Sequence, residues 1–257
     1  MAEQTGTLWE NVSATASTSE AGAGPENTVN GSGFTDTDEH SIAAGDMWLA
    51  SGGADPLWIQ YEFDKVYKLH EMLVWNYNVQ FELVLGLGLK DVTVEYSENG
   101  MDWTVLGDVE LAQATTTATY TANTTIHLGG VAAKYVRLTV NSGWGITGKF
   151  GLSEMRFYHI PTRARKPEPA DGETGVSPDT ILSWHAGREA IAHEIYLSTD
   201  RQAVMNGTAL VDTVTDNNYL PGPLAPGQTY YWKISEINEG ETARVWEGDV
   251  WEFTTAD

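Results

Sequence analysis

The chain has 257 residues, no cysteine, and 36 acidic against 14 basic residues, for a formal charge of −22. The absence of cysteine excludes disulfides and thiol chemistry, and the acidity disfavours nucleic acid or anionic membranes as partners, since both are bound through Lys and Arg. No apolar spacing typical of helices persists over several turns, whereas Thr, Val, Tyr, Trp and Gly are frequent, so an all-β chain is predicted.

The chain opens with a predicted edge strand over Thr5–Trp9. The clearest β pattern follows in two later segments. Ile59, Tyr61 and Phe63 alternate with Gln60 and Glu62, and Val92, Val94 and Tyr96 alternate with Thr93 and Glu95. A period of two predicts strands with one face in a core and the other toward water. After the second strand, Asn99-Gly100 favours a turn, so that Met101-Asp102-Trp103 begins the return strand of a hairpin.

Two motifs in this stretch, WIQYEFDKVYKLHEM and VTVEYSENGMDW, resemble the discoidin family, also called coagulation factor 5/8 type C, and its relatives among the family 32 carbohydrate-binding modules. The resemblance covers roughly residues 8 to 160 and implies a jelly-roll β-sandwich. It is specific for the fold and much less so for the ligand.

The resemblance also implies one Ca²⁺ site. The segment 24–35 corresponds to the family's metal loop, and 152–155 to its closing strand. Hard cations of this size take six to eight oxygen ligands, and a Gly-rich turn can direct carbonyls inward. Asn30 stands where the family usually has Asp, which weakens the site. The alternative is a metal-free Asx turn with Glu154 paired to Lys or Arg. The ligands implied are oxygens of Asn27, Asn30, Ser32, Thr35, Ser153 and Glu154.

Residues 36–55 form a polar insertion in which Trp48 takes the place of a structural Trp of the family, so its burial is expected. His40 is expected to be exposed and without a role. The histidines are scattered, with no pair at metal-ligand spacing. No nucleophile elbow or phosphate loop is present, and a non-catalytic protein is predicted.

In family 32 modules, the loops after the strands Tyr67–Trp75 and Ala133–Val140 form the sugar site. Here these loops are rich in amides, which both donate and accept hydrogen bonds, and in aromatic rings, which pack on pyranose C–H faces. Trp144, flanked by glycines, is predicted to be an exposed platform or, equally, to fold back over a sheet edge. The expected ligand-binding residues are Asn76, Tyr77, Asn78, Gln80, Asn141, Trp144 and Lys149.

A Pro-stiffened segment, Pro161–Pro169, is predicted to be a linker. Beyond it, Ile181-Leu182-Ser183-Trp184 resembles the Trp-bearing B strand of a fibronectin type III domain. Leu224–Tyr230 resembles its tyrosine corner, in which the Tyr hydroxyl bonds to nearby backbone. Residues 170–257 are therefore expected to form a second β-sandwich that acts as a spacer.

The sequence thus favours a carbohydrate-binding module for a polysaccharide or glycan, with a fibronectin-like spacer, from a larger secreted or cell-surface bacterial protein with further flanking domains. The alternative is a structural or adhesive module that contacts protein and has no glycan site. Many galactose-binding relatives use an Arg in the strand before the ligand loop. The absence of that Arg from His70–Trp75 favours the alternative.

Overall fold

The computed structural model describes residues 12–35, 37–53, 56–238 and 244–257, together with the backbone of residues 6–7. Contacts divide the chain into two compact units, Met1–Ile160 and Pro161–Asp257. Of the predicted edge strand, Gly6–Thr7 is strand β1, while Thr5, Leu8 and Trp9 lie outside the described residues.

The regular structure of the first unit is almost entirely strand. These are β1 (Gly6–Thr7), β2 (Val12–Ala16), β3 (Trp48–Ser51), β4 (Trp58–Asn76), β5 (Asp91–Ser97), β6 (Thr104–Glu110), β7 (Thr124–Val140) and β8 (Lys149–Ile160). All of their pairings are antiparallel, in the order β1-β8-β4-β7-β5-β6, with β2 added on β4 and β3 on β8.

The long strands β4, β7 and β8 make the unit a sandwich. β4 pairs with both β7 and β8, and register shifts at Glu62/Tyr67 and Leu69/Glu71 let it bend. The first half of β4 and the second half of β7 thereby form one layer. This layer packs against the second half of β4, the first half of β7 and β8 around one core, which includes Ile59, Tyr61, Phe63 and Phe157. The predicted alternation is confirmed: Ile59, Tyr61 and Phe63 are buried, whereas Gln60 and Glu62 are half-buried on the outer face.

Helices are short. α1 (Glu82–Leu85) lies between β4 and β5, α2 (Arg201–Met205) lies in the second unit, and 3₁₀ turns occupy Pro25–Thr28 and Ala44–Asp46. The prediction of an all-β chain is confirmed. Among the described residues, no helix has the length and apolar character needed to cross a membrane.

The second unit has two sheets. Its strands are β9 (Arg165–Glu168), β10 (Glu173–Val176), β11 (Leu182–His185), β12 (Ala190–Ser198), β13 (Leu210–Val214), β14 (Asn218–Tyr219), β15 (Thr229–Asn238), β16 (Val245–Glu247) and β17 (Trp251–Thr255). One sheet has the order β10-β17-β15-β12-β13 with β16 on β15, and the other the order β14-β11-β9. Leu182 and Trp184 of the smaller sheet pack against Ile195, Trp232 and Phe253 of the larger one.

The Tyr230 hydroxyl accepts the Ala225 N–H at 3.0 Å, which is the backbone bond predicted for the tyrosine corner. The expected linker needs correction, because Arg165–Glu168 is strand β9 and pairs with β11. Ala164 is buried in the core of this unit. Pro167 is tolerated in β9 because this strand lies at a sheet edge.

Candidate functional site

Three connections of the first unit meet at one end of its sandwich: 77–90, 111–123 and 141–148. The Gly145 N–H donates to the Gly86 carbonyl at 2.8 Å, and the Trp144 N–H donates to the Gly88 carbonyl at 3.2 Å. The amide of Gln113 donates to the carbonyl of Glu82 at 2.9 Å. A Cβ on Gly145 would lie 2.1 Å from the Leu85 carbonyl oxygen, so this contact requires glycine. We call this surface the loop end.

The structure corrects three expected ligand residues. Asn76, Tyr77 and Asn78 are fully buried and cannot present side chains to a glycan. The amide of Asn76 donates to the carbonyls of Leu89 and Ala112 at 2.7 and 2.8 Å, and its oxygen accepts the Tyr77 and Leu89 N–H groups. Asn78 likewise donates to carbonyls of the insertion and of the 111–123 connection, including His40 at 3.3 Å and Thr117 at 2.8 Å. These asparagines hold the loops together.

In α1 the acidic side chain is buried and apolar side chains are exposed. Its acidic residue, Glu82, is buried, and its carboxylate accepts the Leu87 and Gly88 N–H groups at 2.9 Å each. Burial raises the pKa of Glu82 above its usual value, while these N–H groups and Gln113 oppose the shift. The apolar residues around it face water instead: Phe81 is 62% exposed and Val84 84% exposed. The loop end therefore presents an aromatic ring on a fixed turn.

Trp144 combines both predicted alternatives. It is half-buried, and its indole N–H donates to the Leu111 carbonyl at 3.0 Å, which ties the ring to the 111–123 connection. The ammonium of Lys90 lies 5.3 Å from the ring centroid. Trp144 therefore anchors the loop and leaves only part of its ring to a ligand.

The remaining expected ligand residues reach the surface. Gln80 and Asn141 are exposed, and the Asn141 amide donates to the Thr93 hydroxyl at 2.9 Å. Lys149, the first residue of β8, pairs with Glu20 at 3.2 Å. The expected set thus contributes two exposed amides and one cation that is already paired.

The predicted metal loop lies against β8, where Glu154 is the main feature. Glu154 is fully buried, and neither carboxylate oxygen has a hydrogen-bond partner among the described residues. Burial raises the pKa of Glu154 to about 8, although the charge of Arg156 and the nearby Gly31 backbone oppose the shift. Arg156 instead pairs with Asp38 at 2.6 Å. An orphaned buried carboxylate beside a Gly-rich loop fits a hard cation.

The other expected ligands surround this loop in different ways. Asn27 donates to the Gly45 and Met47 carbonyls through its amide, and its backbone carbonyl accepts the Ser32 hydroxyl at 3.4 Å. Asn30 forms the Asx turn of the metal-free alternative, since its side-chain oxygen accepts the Ser32 N–H at 2.8 Å. Thr35 is exposed and hydrogen-bonded with Thr37, and the Ser153 hydroxyl donates to the Asn76 carbonyl.

The described residues contain no group of three or more His, Asp or Glu side chains that could hold a metal ion. A Ca²⁺ ion at this loop would therefore have Glu154 as its carboxylate ligand. Its other ligands would be carbonyl, amide and hydroxyl oxygens. The residues fit such a shell, because Ca²⁺ accepts neutral oxygens in irregular numbers.

Two residues of the insertion 36–55, Trp48 and His40, are buried. Trp48 is fully buried as predicted, with its indole N–H on the Ser19 hydroxyl at 3.1 Å. His40 was expected to be exposed, and this is wrong: it is buried beside Phe34 and Gly33. Burial lowers the pKa of His40, which favours its neutral form. Asp36, Ala54 and Asp55 lie outside the described residues.

Sequence reasoning missed Phe81 as a site residue. The signal was present, because Phe81 is the one aromatic residue between the amides of the 76–82 segment and the apolar run after it. Because Phe81 and Leu83 alternate with Gln80 and Glu82, a strand pattern would predict that Phe81 faces the core. Only the burial of Glu82 in the structure shows that Phe81 faces outward.

The F5/8 type C domain model matches residues 13–155, more than half of the chain. No curated protein matches. Among solved structures, a family 89 glycoside hydrolase from Clostridium perfringens in complex with PUGNAc is 14% identical with a TM-score of 0.43, and the match covers 60% of this chain. It covers only 14% of the hydrolase.

Two smaller structures are covered almost entirely. A family 32 carbohydrate-binding module, CBM32-3, from a family 31 glycoside hydrolase of C. perfringens is 21% identical with a TM-score of 0.46, over 60% of this chain and 94% of the module. An F5/8 type C domain from Bacteroides fragilis is 12% identical with a TM-score of 0.43, over 61% and 97%. The family model, which spans most of the sandwich and the 24–35 loop, decides the assignment. The chain belongs to the F5/8 type C domain family.

Proposed function

We propose that the first unit is a non-catalytic carbohydrate-binding module that holds a glycan at the loop end. The observation that carries this proposal is the exposure of Phe81 on a turn fixed by the buried carboxylate of Glu82. An aromatic ring held outward at a surface of convergent loops is a poor core residue and a good stacking platform.

The parts of the site act together on a sugar ring. Phe81 would pack against the apolar C–H face of a pyranose, while Gln80 and Asn141 exchange hydrogen bonds with hydroxyls around its rim. The partly exposed edge of Trp144 and the ammonium of Lys90 close one side. Such a shallow site suits weak affinity, since a millimolar dissociation constant needs only about −4 kcal/mol.

Ca²⁺ is part of this proposal as a structural ion. The carboxylate of Glu154 and oxygens of Asn27, Asn30, Ser32, Thr35 and Ser153 would hold it, and the orphaned carboxylate supports this assignment. The ion would balance the negative charge of the Glu154 carboxylate and would join the 24–35 loop to β8. The ion would have no catalytic role.

For the second unit, we propose a fibronectin type III-like spacer. The tyrosine-corner bond of Tyr230 and the buried Trp184 support it. We place the chain in a secreted or cell-surface bacterial protein that processes polysaccharide and has further domains. These assignments follow from the resemblance of both units to modules of such proteins.

One observation favours the alternative, an adhesive module that contacts protein. Leu83 and Val84 of α1 and the fully exposed Ile146 of the 141–148 connection are further exposed apolar residues of the loop end. Apolar residues gathered at one exposed place mark interaction sites of several kinds.

A glycan array probed with the full chain tests the proposal. We expect binding to at least one sugar class, its loss in Phe81→Ala, and its retention in Phe81→Tyr, which keeps the ring. Val84→Ser is the matched control, since it removes an exposed apolar group without removing the platform. If the wild-type chain binds no glycan, or if Phe81→Ala binds as the wild type does, the loop-end site is wrong and the adhesive alternative takes its place.

A further inference from the structure

The outer face of the β2-β4-β7-β5 part of the first sheet presents a set of aromatic and polar side chains that the loop-end site does not use. The register aligns Thr15, Gln60, Arg137 and Glu95 in one row across the four strands. The next row contains Ser13, Glu62 and Tyr135, with the buried Ser97 at its β5 end. Strands lie about 4.8 Å apart, so each row spans about 14 Å, enough for a short oligosaccharide.

Two tryptophans flank the guanidinium of Arg137 on this face. Its central carbon lies 3.8 Å from the ring centroid of Trp103 and 5.1 Å from that of Trp58. Arg137 also donates to the side-chain oxygen of Gln60 at 3.2 and 2.7 Å. Both tryptophans and the arginine are half-buried, so the rings are fixed in place and still reach water.

The charges of this face are balanced locally, although the chain as a whole carries −22. Glu62 is paired with Lys134 at 3.1 Å and accepts the Tyr135 hydroxyl at 3.0 Å. Glu95 accepts the Thr139 hydroxyl at 2.9 Å and lies opposite Arg137 in the register. A face whose ionic groups are already matched favours a neutral ligand over an anionic or cationic one.

The hairpin that bears Trp103 adds a polar cleft. Asp102 and Thr104, its neighbours in the chain, line a cleft of about 210 Å³ together with Tyr96, Ser97, Glu98, Asn99 and Ala132. The lining includes amide, hydroxyl and carboxylate groups, and such groups bind sugar hydroxyls.

We propose that this face, with Trp58, Gln60, Trp103, Tyr135 and Arg137, is a second glycan-binding surface that takes an internal segment of a neutral polysaccharide. Indole rings held at the surface pack on the apolar faces of pyranoses, and hydrogen-bonding groups fixed by their own partners need little ordering on binding. An open face suits a chain that continues in both directions, unlike a site at converging loops. The two surfaces use different side chains, and they adjoin at Thr93, which is paired with Thr139 in the row of Trp58 and accepts the Asn141 amide.

The test is native affinity electrophoresis of the full chain in gels that contain galactomannan, arabinoxylan, xyloglucan or mixed-linkage β-glucan. We expect retardation of the wild type by at least one of them. Trp58→Ala and Gln60→Ala should raise the dissociation constant at least fivefold, whereas Trp58→Phe should retain most of the binding. Melting curves establish that each variant is folded, and Gln60→Ala serves where Trp58→Ala does not fold.

Phe81→Ala is the matched aromatic control at the loop end. It should lose array binding and keep polysaccharide retardation, and Trp58→Ala should do the reverse, so failure of one site is distinguishable from failure of the other. Three results would overturn the second surface: no retardation of the wild type by any of the four polymers, unchanged retardation of both Trp58→Ala and Gln60→Ala, or loss of the same retardation in Phe81→Ala.

Discussion

The carboxylate of Glu82 accepts the backbone N–H of Gly88 at 2.9 Å from within the loop end, so the one acidic residue of α1 points inward. The same carboxylate accepts the Leu87 N–H, and the Gln113 amide donates to the Glu82 carbonyl. Glu82 therefore fixes the turn that exposes Phe81, although it is too deeply buried to contact a ligand.

We expect Glu82→Gln to destabilise the fold near neutral pH by roughly 1 to 3 kcal/mol, because the amide can accept only one of the two N–H groups well. The loop end should also lose glycan affinity. Chemical denaturation and a glycan titration measure the two effects on the same protein. A variant that is as stable as the wild type at every pH would show that these two hydrogen bonds do not hold the turn.

The pH dependence of this difference has a definite sign. The folded pKa of Glu82 is raised above its unfolded value of about 4.3, so the folded state binds the proton more tightly. Stability contributed by the protonated group is complete below the unfolded pKa and is lost as pH rises through the folded pKa. Relative to Glu82→Gln, the wild type should therefore be more stable at pH 4 than at pH 8.

Asn76→Ala should destabilise the first unit by roughly 2 to 4 kcal/mol, because it strands buried backbone groups of Leu89, Ala112 and Tyr77. Gln80→Ala, at an exposed position of the same segment, should leave the melting temperature unchanged. Thermal unfolding of the two variants measures the contrast. Equal melting temperatures would mean that Asn76 does not hold the loops as its hydrogen bonds indicate.

The strands of the first unit could be predicted because a period of two is a local property. Tyr61 and Phe63 had to point one way and Gln60 and Glu62 the other. The loop end could not be predicted at that level. Asn76 and Asn78 have the composition of a sugar site, and only the convergence of three distant connections shows that their amides satisfy backbone groups instead.

The same distinction explains the second unit. Trp184 and Tyr230 were identified from local motifs, and both lie as those motifs require. The segment 161–169 looked like a linker because of its prolines and basic residues. Its pairing with β11 joins residues 15 to 20 positions apart, Glu168 with Ser183 and Arg165 with His185, which composition does not reveal.

Tyr230→Phe should destabilise the second unit by about 1 kcal/mol, since it removes the hydroxyl that accepts the Ala225 N–H while keeping the ring stacked on Phe253. Tyr231→Phe, the neighbouring position on β15, is the control and should change little. The measurement is thermal unfolding of the full chain. Equal effects of the two substitutions would mean that the hydrogen bond between Tyr230 and Ala225 does not stabilise this unit.

Ca²⁺ should raise the melting temperature of the first unit, because an ion bound only by the folded state stabilises it by about 2.7 kcal/mol at 100 times its dissociation constant. Glu154→Gln should abolish this response. In EDTA, however, the variant should be at least as stable as the wild type, since a buried amide costs less than a buried carboxylate without partners. The order of stability of the two proteins should thus reverse between EDTA and excess Ca²⁺.

Calorimetry of both proteins in both conditions tests this reversal, and Mg²⁺ in place of Ca²⁺ controls for ionic strength. A wild-type melting temperature that is the same in EDTA and in millimolar Ca²⁺ would mean that Glu154 holds no Ca²⁺ and that the 24–35 loop is an Asx turn without metal.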